Sequence, residues 1–201
     1  MENNNNSRVV VGPVRLSYCH LFEPHAIDPN AAAKYSCSIL IPKTDTALVG
    51  TIKKALTAAI PADAPKTSEG KLDKQRFRLC LRDGDAERND APEYKGMYFI
   101  NASSNHKPGV VKKVNRNGQV VTENCDQDEV YSGCWAYVAI NFFAYAKSAN
   151  KGVSCGLNSV MKYRDDTPFG ATDSAHADFA DIDVLTEGVQ AAPETEDDLL
   201  G

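Results

Sequence analysis

Residues 134–147 (CWAYVAINFFAYAK) and 152–163 (GVSCGLNSVMKY) decide the fold, because each reads as one long strand with two different faces. The short polar connection at residues 148–151 predicts that the two strands form an antiparallel hairpin. One face of the first strand suits a barrel interior: Cys134, Ala136, Val138, Ile140 and Phe142. The other face is largely aromatic and ends in a cation: Trp135, Tyr137, Ala139, Asn141, Phe143, Tyr145 and Lys147.

The N-terminal half of the chain predicts two further strands and one helix. An apolar series interrupted by Gly12-Pro13 indicates a bent first strand: Val9, Val11, Val14, Leu16 and Tyr18. A loop is expected at residues 23–33, and alternation predicts a second strand at residues 34–41. Thr44 or Asp45 can cap a helix that runs to Ile60.

The middle of the chain predicts more strands joined by turns. Residues 76–82 (RFRLCLR) alternate clearly, and residues 97–102 (MYFINA) predict another strand. Asn117-Gly118 is a strong hairpin signal between residues 110–114 and 119–122. About seven strands and one helix favour a mainly β, antiparallel small barrel or sandwich, and disfavour a doubly wound sheet.

Charge divides the chain into a mildly basic body and an acidic tail. Residues 1–164 carry all 22 Lys and Arg and 16 Asp and Glu, whereas residues 165–201 carry 11 Asp and Glu. The overall charge of −5 therefore conceals a cationic domain. We predict a disordered N-terminus at residues 1–7, a folded domain at 8–164, a weakly structured extension at 165–190 and a disordered tail at 191–201.

Aromatic rings beside cations on a sheet surface suit single-stranded nucleic acid, since bases stack on the rings and phosphates bind Lys or Arg. The face of residues 76–82 and the basic residues near the Asn-Gly hairpin add cations that could bind phosphate. The alternatives are ion pairing of these cations, a solvated hairpin, and aromatics covered by the tail or another protomer. The candidate DNA contacts are Arg76, Arg78, Arg82, Lys107, Lys112, Lys113, Trp135, Tyr137, Phe143, Tyr145, Lys147 and Lys151.

Other classes of protein receive little support from the sequence. Nucleotide-binding, zinc-protease and serine-hydrolase motifs are absent, and no apolar run could span a bilayer. The six cysteines lack zinc-site spacing, which predicts reduced and mostly buried thiols. Two acidic clusters fit solvated loops better than a metal-dependent nuclease: Asp83, Asp85 and Glu87, and Asp126, Asp128 and Glu129. We expect no enzymatic activity, cofactor or metal.

Three runs resemble a family of tailed-phage single-stranded-DNA-binding proteins: residues 94–111 (YKGMYFINASSNHKPGVV), 131–145 (YSGCWAYVAINFFAY) and 151–165 (KGVSCGLNSVMKYRD). The resemblance implies an OB fold with an acidic C-terminal tail. It also implies coating of single strands during phage DNA replication, recombination and repair in the cytoplasm of the infected bacterium. Two features depart from the usual OB arrangement, because the helix follows the second strand and more than five strands are expected.

The segregated charges suggest a mechanism for such a protein. We expect the tail to compete with DNA for the basic groove and, once displaced, to dock phage or host replication proteins. The docking residues would be Glu196, Asp197, Asp198, Leu199 and Leu200. The sequence leaves a homodimer open. The main alternative is a structural or assembly protein that associates through an exposed aromatic face.

Overall fold

The computed structural model describes residues 7–26, 28–147 and 150–170. The described residues form two α-helices, α1 (Thr46–Ala58) and α2 (Gly84–Glu87), and short 3-10 turns at Pro92–Tyr94 and Gln127–Glu129. Their eight strands are β1 (Arg8–His25), β2 (Lys34–Pro42), β3 (Leu81–Asp83), β4 (Met97–Ser104), β5 (Gly109–Arg116), β6 (Gln119–Asn124), β7 (Trp135–Lys147) and β8 (Asn150–Arg164). Neither described helix is long and apolar enough to cross a membrane.

Five of the strands close into a barrel. Their hydrogen-bonded order is β4-β2-β1-β7-β8, and β4 returns to β8 through a parallel pair at Ser103 and Gly156. The other pairs in this ring are antiparallel. A five-stranded barrel whose third and fifth strands run parallel is the OB arrangement, so the predicted mainly β, OB-like barrel is confirmed.

The predicted hairpin of β7 and β8 forms the longest pairing in the barrel. The five compact side chains that alternate along residues 134–142 are all buried, as their pattern predicted. Residues of β8 complete this wall of the core: Val153, Cys155, Leu157 and Val160. Removal of so many apolar side chains from water at ~25 cal/mol per Å² makes this hairpin a main source of stability.

The helix and the extra strands fit between the barrel strands. Asp45 caps α1 by accepting a hydrogen bond from the Leu48 amide at 2.9 Å, and the helix packs Ile52 and Leu56 into the core. This helix connects the second and third barrel strands, as the sequence predicted. The hairpin of β5 and β6 connects the third and fourth, turning at Asn117 and Gly118 with positive φ values. The barrel therefore keeps five strands although the chain has more.

The predicted strand at residues 76–82 is wrong, because only Leu81–Asp83 is a strand. Arg78 instead forms an isolated parallel bridge to Gly152 of β8, while Leu81 pairs with Ile100 of β4. Residues 78–81 thus form backbone hydrogen bonds with two different strands, β8 and β4, and lie between these strands where the two diverge. Its apolar side chains still contact the core, with Phe77 buried and Leu79 and Leu81 partly so.

Strand β1 also differs from its prediction. It continues to His25, into the region expected to be a loop. The register shifts between Ser17 and His20, where a β-bulge gives β1 one residue more than its partner β2. This bulge turns Tyr18 out of the apolar series that the sequence predicted, and the side chain is exposed.

Candidate nucleic-acid interface

The outward face of β7 is open to solvent near the end of the strand. Phe143 is 45% exposed, and Tyr145 is partly exposed. Both line a groove with a volume of about 310 Å³. The other lining residues come from the start of β2, the end of β4 and the beginning of β8: Lys34, Ser103, Ser104, Asn105 and Ser154. An aromatic wall facing small polar side chains gives space for a flat ligand such as a base.

Small residues on β8 keep the two rings accessible. Phe143 pairs with Ser154, and Tyr145 pairs with Gly152. A Cβ atom on Gly152 would lie 2.2 Å from the Arg78 carbonyl oxygen and 3.1 Å from the Tyr145 ring. Glycine is therefore required for the chain at Arg78 to approach the hairpin. The approach is fixed by hydrogen bonds from the Arg78 amide to the Lys151 carbonyl and from the Val153 amide to the Arg78 carbonyl, both 2.9 Å.

Four cations lie on the elements that build this groove. Lys34 lines it, Arg78 is held against β8, and Lys147 and Lys151 flank the connection between β7 and β8. All four side chains are exposed, and none forms an ion pair within the described part of the chain. Exposed cations without carboxylate partners remain available to phosphate. Lys107 follows the groove residue Asn105 closely, and its Nζ lies 5.6 Å from the Phe22 ring.

Other predicted phosphate contacts are already paired. Arg82 donates to Glu87 through Nε at 2.8 Å and Nη2 at 2.5 Å and lies over the Phe99 ring. Lys112 bonds Glu129, and this hydrogen bond lowers the pKa of the Glu129 carboxyl. The sequence left open that the arginines pair with Asp83, Asp85 or the acidic tail. Arg82 is paired, but with Glu87, and the sequence did not predict the pairing of Lys112 with Glu129.

The remaining basic candidates lie apart from the groove or show no contact with it. Lys113 lies beside Lys112 on β5, and Lys112 pairs with Lys162 on β8. Lys162 is eight positions from the groove residue Ser154, which corresponds to roughly 26 Å along a strand. Arg76 is exposed in the turn before Arg78. The structure therefore does not bring the basic hairpin to the aromatic groove.

At the other end of β7, which we term the covered end, the aromatic side chains are partly exposed and are engaged by neighbouring groups. The Trp135 Nε1 donates to Asp166 Oδ2 at 2.6 Å, and the Arg164 guanidinium lies 4.5 Å from the centre of the indole. Tyr137 packs edge-to-face on Tyr163, with ring centres 5.6 Å apart. Two of the four predicted stacking residues are thus engaged by the end of β8 and the chain that follows it.

Residues 165–169, which we term the latch, attach to the barrel end through several contacts. Arg15 donates to the carbonyls of Thr167 and Gly133 at 2.6 and 2.8 Å, and it lies over the Phe169 ring at 4.2 Å. The hydrogen bond from Lys162 lowers the pKa of Asp165, and the one from Trp135 lowers that of Asp166. Ordered chain therefore continues past residue 164, to the end of the compact unit at Phe169.

The predicted tail lies outside the described residues. This applies to the whole tail at residues 191–201, including the proposed docking residues. Residues 171–190 of the predicted extension, and residues 1–6 of the N-terminus predicted to be disordered at residues 1–7, also lie outside the described chain.

The acidic clusters serve the local structure of the described chain. Asp83 and Asp85 both accept hydrogen bonds from Lys43, at 2.5 and 2.6 Å. Asp126 and Glu129 form a capping box on a 3-10 turn. Within the described ranges, no three His, Cys, Asp or Glu side chains are arranged to hold a metal ion.

The cysteines are free thiols, and four of the six are buried. Burial raises the pKa of the Cys37 thiol, which keeps it protonated. This arrangement matches the predicted reduced and mostly buried cysteines.

The groove also contains residues that the sequence did not single out. Lys34, Ser103, Ser104, Asn105 and Ser154 are polar residues at or near strand ends. The run at residues 101–107 (NASSNHK) combines a strand end with small polar side chains, and this was the only sequence signal for Ser103, Ser104 and Asn105. Their common groove depends on the barrel closure that brings β4 beside β8.

A closed OB barrel with exposed aromatics and unpaired cations defines the class of single-stranded nucleic-acid-binding domains. A sequence model of the family described as "Enterobacter phage Enc34, ssDNA-binding protein" matches residues 7–189. The chain belongs to this family of phage single-stranded-DNA-binding proteins.

Individual relatives agree with this membership. The chain is 31% identical over 188 residues to a putative protein p50 of Acyrthosiphon pisum secondary endosymbiont phage 1, covering 90% of this chain and 96% of the relative. The single-stranded DNA-binding protein from bacteriophage Enc34 in complex with ssDNA superposes with a TM-score of 0.66 and 29% identity, covering 83% of this chain and 91% of that one. Another structure of the Enc34 protein gives a TM-score of 0.63 at 28% identity, covering 88% and 92%.

Proposed function

We propose that this protein binds single-stranded DNA without strong sequence preference, at the groove between Phe143, Tyr145 and Lys34. The observation that carries the proposal is the exposure of both rings in a groove lined by Lys34. Three further cations without an ion pair among the described residues lie on the elements that build the groove. Stacking of a base on either ring is worth ~1–3 kcal/mol, and every base has a flat face that can stack. Lys34, Arg78, Lys147 and Lys151 then hold the phosphates.

Membership of the family supports a proposal for the biological role. We place the protein on exposed single strands during phage DNA replication, recombination and repair, in the cytoplasm of the infected bacterial cell. Its contribution there is stoichiometric coating, with no catalytic step. A homodimer would present two grooves and two acidic tails to one strand.

The acidic C-terminal segment supplies a competitor for the same groove. The latch fixes its origin at the Trp135 end of β7, and Trp135 lies roughly 26 Å along the strand from Phe143. If the residues that follow behave as a random coil of about 30 residues, they would span roughly 30 Å, which is enough for the acids to compete for the cations of the groove. DNA displaces the tail, and the tip from Glu196 to Leu200 becomes available to replication proteins of the phage or host.

The deciding experiment compares binding of oligo-dT, matched duplex and RNA by fluorescence anisotropy at two salt concentrations. The full chain should prefer oligo-dT, with log affinity falling by ~0.7 per log unit of salt for each neutralised phosphate. Deletion of residues 191–201 should raise the affinity, most clearly at low salt. No measurable affinity for oligo-dT would end the proposal, and an unchanged affinity after the deletion would remove the tail from it.

A further inference from the structure

Tyr18 is an exposed aromatic residue for which the fold alone gives no reason. It lies between Leu16 and Leu21, which are buried, and 51% of its own surface is exposed. In an uninterrupted strand, Tyr18 would share the inward face of Leu16. The bulge between Ser17 and His20 moves the inward positions to Cys19 and Leu21 and turns the tyrosine out. Bulges are used in this way to re-aim a side chain beside a binding site.

The backbone at Tyr18 is also in an unfavourable conformation. Its φ of 48° lies in the left-handed region, which bulky residues with a Cβ rarely adopt. Glycine or asparagine would fit this position at lower cost. Such backbone strain is unfavourable and clusters at functional sites. Burial of a half-exposed tyrosine offsets little of the backbone strain. Tyr18 is therefore a candidate for binding a ligand.

A cation is already in place beside this ring. The Arg88 guanidinium lies 5.6 Å from the Tyr18 ring centre and 5.5 Å from that of Tyr94. Tyr94 is buried and donates a hydrogen bond from its hydroxyl to Ser38 Oγ at 3.0 Å. Ser38 in turn pairs with Ser17, the residue before Tyr18. These contacts hold Arg88 against the Tyr18 and Tyr94 rings. No carboxylate of the described chain forms an ion pair with Arg88.

The surface between Tyr18 and the groove is polar and is built from small side chains. Cys37 and Ile39 of β2, and Ile100 and Ala102 of β4, are in the core, so the residues that alternate with them face outward. Of these residues, Ser36, Asn101 and Ser103 are at least partly exposed. Ser38 is buried beneath Tyr94. Ser103 lines the groove, and only two strand spacings, roughly 10 Å, separate β1 from β4. One strand of DNA can therefore cross both sites.

We propose that Tyr18 and Arg88 form a second subsite for single-stranded DNA, in which a base stacks on the exposed face of the Tyr18 ring and a phosphate binds the Arg88 guanidinium. The proposal depends on the groove function argued above and extends it across β2 and β4. Arginine beside an aromatic ring suits this pairing, because the guanidinium contacts the ring and still donates to phosphate oxygens.

The first test measures the affinity of the full-length protein for oligo-dT of about 4 to 16 nucleotides, the range of OB site sizes. For the longer oligonucleotides, Tyr18→Ala should bind roughly 5- to 150-fold more weakly, as expected for the loss of one base stack. Tyr18→Phe should bind like wild type. Tyr163→Ala is the matched control, because Tyr163 is also exposed, at 56%, and lies on β8. This variant should bind oligo-dT with the affinity of wild type. Equal affinities of wild type and Tyr18→Ala at every length would overturn the proposal.

A second variant separates binding from folding. Tyr18→Gly removes the ring and relieves the left-handed strain, so its melting temperature should be unchanged or higher while its affinity falls as for Tyr18→Ala. A purely structural role predicts the opposite result, a lower melting temperature with unchanged affinity. Arg88→Ala should reduce the salt slope by ~0.7, and Arg88→Lys should restore it.

The same measurements distinguish this proposal from the groove function. If wild-type protein fails to bind oligo-dT, the groove function is lost. If wild type binds and Phe143→Ala weakens binding while Tyr18→Ala does not, only the second subsite is overturned.

Discussion

The two ends of β7 carry similar aromatic residues on the same face and differ in what covers them. At the far end, Phe143 and Tyr145 stand beside Ser154 and Gly152 in an open groove. At the near end, Trp135 is bonded to Asp166 and lies under Arg164. Alternation along β7 predicts the same exposure for the aromatic residues at both ends. The contacts made by the end of β8 and the chain that follows it distinguish the two ends.

The difference shows that an aromatic strand face is not by itself a binding surface. The Trp135 N–H is bonded to Asp166 and one face of the indole holds a guanidinium, so its polar group and that face are engaged within the protein. A phenylalanine facing a serine keeps its flat surface exposed. We therefore propose the open end as the DNA-binding end, whereas the covered end holds the latch.

Removal of both rings at the open end should have the largest effect. We expect Phe143→Ala with Tyr145→Ala to lower oligo-dT affinity by about 30-fold or more, since each stack is worth ~1–3 kcal/mol. Trp135→Phe, at the covered end, should leave affinity unchanged. Anisotropy titrations of the three proteins at one salt concentration make the measurement. A Trp135 variant as weak as the double variant would reverse the assignment of the two ends.

Two glycines allow each end to be disrupted separately. A Cβ at Gly133, whose φ is 114°, would lie 2.5 Å from the Thr167 carbonyl oxygen, and one at Gly152 would lie 2.2 Å from that of Arg78. Each change to alanine should lower the free energy of unfolding by about 1–3 kcal/mol in urea titrations. Only Gly152→Ala should also weaken DNA binding.

The matched control for these glycines is Gly109→Ala. A Cβ there would have only a contact of 4.0 Å with Ser159, so stability should not change. Loss of DNA binding in Gly133→Ala but not in Gly152→Ala would contradict the comparison.

Two arginines, one near each end of β7, test the contribution of charge to oligo-dT affinity. We expect a smaller change in affinity than for the aromatic rings. Arg78→Ala should weaken oligo-dT binding and reduce the slope of log affinity against log salt by ~0.7, as for one phosphate contact. Arg164→Ala removes a residue committed to Trp135 and Asp166, so its slope should match wild type. Identical slopes for all three proteins would exclude Arg78 from the site.

The smallest expected effect is a pH dependence confined to the latch. The pKa values of Asp165 and Asp166 are lowered in the folded protein, by hydrogen bonds from Lys162 and Trp135 respectively. Their stabilising contribution is complete above the ordinary Asp pKa of ~3.9 and is lost as the pH falls through the lower folded values. Trp135 emission should therefore change only below about pH 4. Asp166→Asn should lose this step, and a step retained in that variant would assign the titration to another group.

Local patterns predicted most of the barrel. The faces of β7, the cap of α1 at Asp45 and the Asn117-Gly118 turn each depend on neighbouring residues, so the sequence contains the information for them. The strand at residues 76–82 failed because its hydrogen-bond partners, Gly152 and Ile100, belong to two strands distant in sequence. The prediction that Tyr18 belongs to the apolar series of the first strand was wrong, because a bulge that the alternation did not indicate turned the side chain outward.

The resemblance of three runs to known proteins indicated the family and its OB barrel. The sequence patterns by themselves determined the mainly β class, as a barrel or sandwich, the long hairpin, and the division into a cationic body and an acidic tail. These follow from side-chain period, turn chemistry and charge, which are properties of short stretches of chain. The tertiary structure alone decided which aromatics remain exposed, which cations keep free of carboxylates, and which small residues face them. Those outcomes depend on pairs such as Trp135 with Asp166 and Ser103 with Gly156, which are far apart in sequence and meet only when the barrel closes.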